Sequence, residues 1–162
     1  MPRTLIVFYS LDGNTRFIAQ ILASAVGADL QEIKLAKELP DGRAAKYFWG
    51  GRQIVLKATP EILPTEKDWQ TYDRVIVGTP VWAFNFTPAI RSYLSLNKIS
   101  GKQIAVFCCS GGTPGKTLAN LCQALAGNEI IGELALIEPL RDQEKNRRLA
   151  LDWAGKISKL QH

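Results

Sequence analysis

The sequence predicts an α/β fold: a doubly wound, five-stranded parallel sheet in the order 2-1-3-4-5, forming the middle of three α/β/α layers. Three observations lead there. Short uninterrupted apolar runs, Leu5-Ile6-Val7-Phe8, Val75-Ile76-Val77 and Ile104-Ala105-Val106-Phe107-Cys108-Cys109, read as strands buried on both faces. Between them stand segments whose apolar residues recur at helical spacing, and strands alternating with helices imply parallel pairing with right-handed crossovers. The first run also ends abruptly in a short polar loop, Ser10-Leu11-Asp12-Gly13-Asn14-Thr15, that opens a helix.

In chain order, Phe17, Ile18, Ile21, Leu22 and Val26 mark the first helix, and Leu30 to Leu35 reads as a short second strand. The segment Pro40 to Pro64 is longer than a crossover needs and is expected to hold an amphipathic helix on the sheet, broken at Gly50-Gly51. Tyr72 to Gly78 gives the third strand, Thr87 to Leu96 a helix, and Gln103 to Cys109 the fourth strand. Leu118 to Leu125 gives another helix and Asn128 to Ile137 the fifth strand. Gln143 to Leu160 closes the chain as an amphipathic helix with Leu149, Trp153 and Ile157 on one face.

A chain of 162 residues is expected to form one domain, 1–162, burying about two-thirds of its unfolded surface in one core. The balance of 22% charged and 46% hydrophobic residues is that of a soluble globular protein, and no apolar run approaches the roughly 20 residues that span a bilayer. Met1-Pro2-Arg3-Thr4 leads straight into the first strand, so no signal peptide and a cytoplasmic location are expected. Cys108, Cys109 and Cys122 lack the spacing of a zinc site or a disulfide framework and read as small buried hydrophobes. The net charge of +5 is scattered along the helices without a nucleic-acid motif, which fits solvated helix faces and no nucleic-acid partner.

In a doubly wound sheet, ligands sit beyond the carboxyl ends of the strands, at the switch point between the first and third strands. Three loops should converge there: Ser10 to Thr15, Thr79 to Phe86, and Ser110 to Thr117. At the first, the unpaired N–H groups and positive dipole of a new helix can hold a phosphate without any lysine. Gly13 permits a tight or left-handed turn, and the Ser10 and Thr15 hydroxyls can donate to phosphate oxygens. The alternative is an ordinary helix start capped by Asp12 or Asn14. The second loop, Thr79-Pro80-Val81-Trp82-Ala83-Phe84-Asn85-Phe86, is aromatic where loops are normally polar. The third, Ser110-Gly111-Gly112-Thr113-Pro114-Gly115, lets backbone approach a flat ligand closely. Together they describe a site for a planar ring with a phosphate tail.

Other chemistries fail on the residues. Gly115-Lys116-Thr117 matches the end of a nucleotide-binding P-loop, but the required earlier glycine is Ser110 and the loop follows the fourth strand. A receiver domain needs acidic residues where Tyr9-Ser10 and Thr79-Pro80 stand. A Cys109 or Ser110 nucleophile would want a histidine base, and the sole histidine is His162.

Ser10-Leu11-Asp12-Gly13-Asn14-Thr15 resembles the phosphate loop of the flavodoxins, and Gly78-Thr79-Pro80-Val81-Trp82 resembles the passage carrying their flavin-stacking tryptophan. The chain is thus similar to a flavodoxin-like FMN protein over nearly its whole length. The resemblance implies FMN as cofactor, its phosphate held by Ser10 to Thr15 and Trp82 stacked on the ring. Thr79, Pro80, Val81, Ala83 and Phe84 would line that ring, and Ser110, Gly111, Gly112 and Thr113 would meet its pyrimidine edge. It also implies redox work without a catalytic acid or base: electron transfer with a protein partner, or a small NAD(P)H-dependent quinone or flavin reductase. The reading from another class is a non-redox binding module on the same fold. This chain differs from the family in carrying Ala83 where Gly often follows the tryptophan, in its net positive charge, and in lacking a third-loop tyrosine. A left-handed φ at Ala83 is expected to be resisted, which tilts the role toward a reductase. Tyr47-Phe48-Trp49 in the long crossover either pack on the sheet or reach the flavin rim or a partner.

Overall fold

A computed structural model describes residues 1–37 and 59–160. The strands are β1 (Thr4–Phe8), β2 (Asp29–Glu32), β3 (Arg74–Trp82), β4 (Asn85–Phe86), β5 (Gln103–Ser110) and β6 (Glu129–Ile137). The helices are α1 (Asn14–Val26), α2 (Pro88–Leu96), α3 (Thr117–Ala124) and α4 (Gln143–Ser158). The parallel strands run β2-β1-β3-β5-β6, which is the expected 2-1-3-4-5 order once the small antiparallel β4 is set aside.

Strict alternation along the central strands sorts side chains between two cores. Leu5 and Val7, Val75 and Val77, and Ile104 and Val106 face α2 and α3, packing with Ala89, Ile90, Tyr93, Leu121 and Leu125. Ile6 and Phe8, Ile76, and Ala105 and Phe107 face α1 and α4, against Ile18, Leu22, Ala150, Trp153 and Ile157. Each central residue therefore meets apolar neighbours whichever way it points, which is why these strands read as unbroken hydrophobic runs.

Three boundaries differ from the sequence reading. The second strand is shorter than Leu30 to Leu35; past Glu32 only Leu35 pairs again, in a bridge to Ile62. That bridge puts Ile62 beside the chain after β2 rather than in a helix, and the rest of the expected crossover helix, with Tyr47, Phe48 and Trp49, lies outside the described residues. The largest correction concerns Thr79 to Phe86, expected as a loop. Here β3 runs on through Thr79 and Pro80, paired with Cys108 and Cys109, and then folds back as a hairpin in which Val81 faces Phe86 and Trp82 faces Asn85. Pro80 is tolerated because Gly78, of the same parity, turns its carbonyl toward Tyr9 on the β1 side. The N–H that proline lacks would point to that side, where β1 has already ended.

Candidate functional site

The phosphate-type loop leaves β1 at Phe8 and enters α1 through Gly13, whose φ of 95° is a left-handed conformation that glycine adopts without strain. Neither Asp12 nor Asn14 caps the helix. The Ser10 hydroxyl oxygen does so by accepting from the Arg16 N–H at 3.1 Å, which leaves its own proton free to donate elsewhere. Asn14 instead turns its carbonyl oxygen to the Leu140 N–H, 2.9 Å away in the loop after β6. Among the described residues no acceptor meets the N–H groups of residues 11 to 15. The Thr15 hydroxyl is buried and makes no hydrogen bond of ordinary geometry. Its nearest polar neighbour is the Cys109 thiol, a weak partner. A buried hydroxyl and a run of free N–H groups at a helix start are unmet donors converging on one point. Among the described residues no cation lines that cleft: Arg16 is drawn away to Glu32, through Nε at 3.0 Å and through Nη2.

The loop opens into a cleft of about 160 Å³. Leu11, Asp12, Asn14 and Thr15 form one wall, Pro80, Val81 and Trp82 a second, and Ser110 and Gly111 a third, so all three expected segments contribute. The remaining expected residues stand behind or beside it. Thr79 is fully buried, its hydroxyl donating to the Pro80 carbonyl at 2.8 Å and accepting from the Thr87 N–H at 3.1 Å. Gly112 and Thr113 are exposed on the outer part of their loop. A larger cavity, about 640 Å³, lies at the opposite end of the sheet beside Met1, Arg74 and Leu160. Its buried arginine is already occupied by Gln103 and the Leu160 carbonyl, each at 2.8 Å, whereas the smaller cleft gathers donors left unmet.

Trp82 borders the cleft but is only 4% exposed, and its ring packs edge-on against Tyr9 at 5.9 Å within the core facing α2. The exposed aromatic is Phe84, at 62%. Ala83 and Phe84 form the two-residue turn of the β3–β4 hairpin with φ of 48° and 62°, both left-handed as a type I′ turn requires. The left-handed φ expected to be resisted at Ala83 is thus already adopted. Two contacts hold the turn: the Asn120 side-chain amide donates to Asn85 Oδ1 at 3.1 Å, and Gly115 lies so close that a Cβ there would fall 2.6 Å from the Phe84 Cβ.

The sequence reading missed two lining residues, Cys109 and Glu138. Both sit where strands β5 and β6 end at the ligand side of the sheet, so the switch-point rule could have flagged them. Burial pushes the thiols of Cys108 and Cys109 up to about 12, the Thr15 hydroxyl pulling Cys109 slightly the other way. Neither is a nucleophile at neutral pH. Burial, with Asp12 second, likewise raises Tyr9 to about 12. Among the described residues no cluster could hold a metal ion, and no helix is long and apolar enough to cross a membrane.

No curated protein matches the chain in sequence. Among solved structures, a Lactobacillus acidophilus flavoprotein crystallised in complex with FMN shares 25% identity over 89% of this chain and 99% of its own, with a TM-score of 0.74. The apo form of the Lactobacillus acidophilus flavoprotein shares 27% identity over 88% and 97%, at a TM-score of 0.66. Oxidised flavodoxin 2 of Bacillus cereus, 18% identical over 97% and 98% with a TM-score of 0.62, shares the fold. Residues 3–134 match the family described as flavodoxin, and with this sheet order and this phosphate-type loop the chain belongs to the flavodoxin family.

Proposed function

We propose that this protein binds FMN in the cleft beyond β1, β3 and β5 and works as a flavodoxin-type redox protein. The observation that carries the reading is the loop 10–15, where free backbone N–H groups and the orphaned Thr15 hydroxyl await an anion with several acceptor oxygens. A phosphate monoester meets that description, and the Lactobacillus acidophilus flavoprotein was crystallised in complex with FMN. Ser10 and Thr15 would donate to the phosphate, and the helix dipole of α1 would favour its charge. Pro80, Val81 and Trp82 would form the apolar wall of the ring site, and Ser110 and Gly111 its polar edge. The bound flavin would supply the electron chemistry, with the protein setting position and electrostatics.

Two jobs fit such a site: a carrier exchanging electrons with a protein partner, or a reductase passing them from NAD(P)H to a small acceptor. The hairpin favours the second. Its turn is fixed by the β4 pairing, Asn85–Asn120 and the Gly115 contact, so its backbone has little freedom to follow single-electron changes of a ring beside it. Reconstitution with FMN, mass analysis of the released chromophore and anaerobic reduction by NADH or NADPH test both levels. Recovery of FAD, or no flavin with excess FMN, overturns the cofactor; reduction by neither nicotinamide returns the carrier role to first place.

A further inference from the structure

We propose that Glu32 is a positioning residue for the phosphate-type loop: it holds the Arg16 guanidinium away from the anion, and so sets how tightly the loop grips a phosphate. The inference rests on the anion-binding part of the FMN reading and concerns two side chains outside the cleft lining. Glu32 ends β2 and stands in register with Phe8, the residue from which the loop departs. Arg16 follows Thr15 in the first turn of α1, and its N–H is already given to Ser10. Consecutive Cα atoms are about 3.8 Å apart, so a phosphate held by Thr15 would lie within the span of this next, long side chain.

The pair is arranged to prevent that contact. Arg16 Nε, at 3.0 Å, and Nη2 both donate to Oε1 of Glu32, while Lys34 Nζ stands 3.5 Å from Oε2. The Glu32 side chain is 23% exposed against 42% for Arg16 and 60% for Lys34, so the carboxylate is the anchored member and the cations are the ones that can turn. A cation in a first turn faces the positive end of the helix dipole, and the first turn of α1 holds no acidic residue to offset it. Arg16 is therefore drawn to an anion, and Glu32 supplies one. Without Glu32 the choice falls between Asp12, exposed and singly charged, and a bound phosphate monoester with nearly two charges. An arginine on the phosphate would help every phosphate-bearing molecule alike, whereas the wall of Pro80, Val81 and Trp82 helps only a ligand with a ring. Withholding the cation leaves selection to the ring.

The test is titration of the wild type, Glu32→Ala, Glu32→Gln and the double variant Glu32→Ala with Arg16→Ala. FMN and riboflavin are followed by flavin fluorescence, and inorganic phosphate by the amide NMR signals of residues 11 to 15. Glu32→Ala should bind FMN about tenfold more tightly, the scale of one hydrogen bond between charged groups, with riboflavin unchanged. Glu32→Gln keeps the size of the side chain and one neutral acceptor, so it should show a smaller gain and serves if the alanine variant does not fold. Adding Arg16→Ala should abolish the gain. Unchanged or weaker FMN binding on loss of the Glu32 charge overturns the proposal, and equal changes for FMN and riboflavin reduce Glu32 to shaping the loop. A gain that survives Arg16→Ala also overturns it, because Glu32 would then act by repulsion alone. If no variant binds flavin, the FMN reading falls and inorganic phosphate decides the rest: tighter phosphate binding without the Glu32 charge upholds its role, and equal or absent binding overturns that as well.

Discussion

The two turns that face the cleft solve opposite problems. At residues 10–15 the unusual backbone falls on Gly13, which takes φ 95° freely, and the N–H groups of residues 11 to 15 meet no acceptor among the described residues. At residues 83–84 the unusual backbone falls on Ala and Phe, and the flanking residues are paired across the hairpin. The first turn is relaxed but unsatisfied; the second is satisfied but strained. Unmet donors mark a place completed by a ligand, whereas strain held by surrounding contacts marks a place whose shape is fixed beforehand.

Four measurements can break or sharpen this contrast. The largest effect is expected from Thr15→Ala, which removes a buried donor aimed at the proposed phosphate: FMN should bind about 1.5 to 3 kcal/mol more weakly, with riboflavin nearly unchanged. Equal losses for both ligands would mean that the loop is not a phosphate site. Next is Gly13→Ala, where a left-handed φ costs about 1 to 2 kcal/mol and the added methyl meets Leu140 at 3.3 Å. Chemical denaturation should show a loss of that size without ligand; an unchanged midpoint would deny that the loop's ease depends on glycine.

Asn120→Ala removes the side-chain anchor of the hairpin and should lower stability by about 0.5 to 1.5 kcal/mol. If the turn is fixed in advance as argued, it should also weaken binding of both FMN and riboflavin. The smallest effect is expected from Ala83→Gly, which relieves the strain but adds chain entropy to the unfolded state, for a net gain below about 1 kcal/mol. A destabilisation would show that Ala83 is not strained. The same variant bears on the redox role: if the gap between the two one-electron reduction potentials of bound FMN is the same as in wild type, the stiffness of this turn does not set the electron count.

The contrast also explains what could be read in advance. The three central strands, β1, β3 and β5, were legible because burial on both faces leaves no room for polar residues, and Ile76 or Val106 could belong nowhere else. The phosphate-type loop was legible because glycine, small hydroxyls and a new helix follow one another in sequence. The hairpin was not: Ala-Phe violates the preference of type I′ turns for Asn and Gly, and Pro80 looks like the end of a strand rather than its interior. Only the neighbours of these residues, which sequence does not display, permit the conformation. Trp82 borders the cleft, and its burial against Tyr9 comes from the hairpin turning it inward. Glu138 carried no motif, and its place depends on where the loop after β6 crosses toward α1.

The thiols beneath the cleft have one more consequence. Flavins that meet oxygen after reduction release peroxide, and peroxide attacks thiolate rather than thiol. With Cys109 pushed up to about 12 by burial, that sulfur stays a thiol at pH 7. Cys108, equally high, is fully buried behind it. Cys109 lines the cleft of the proposed cofactor and is nonetheless nearly inert toward this by-product. Cys109 should therefore survive many futile oxidation cycles undamaged, a durability set by packing alone.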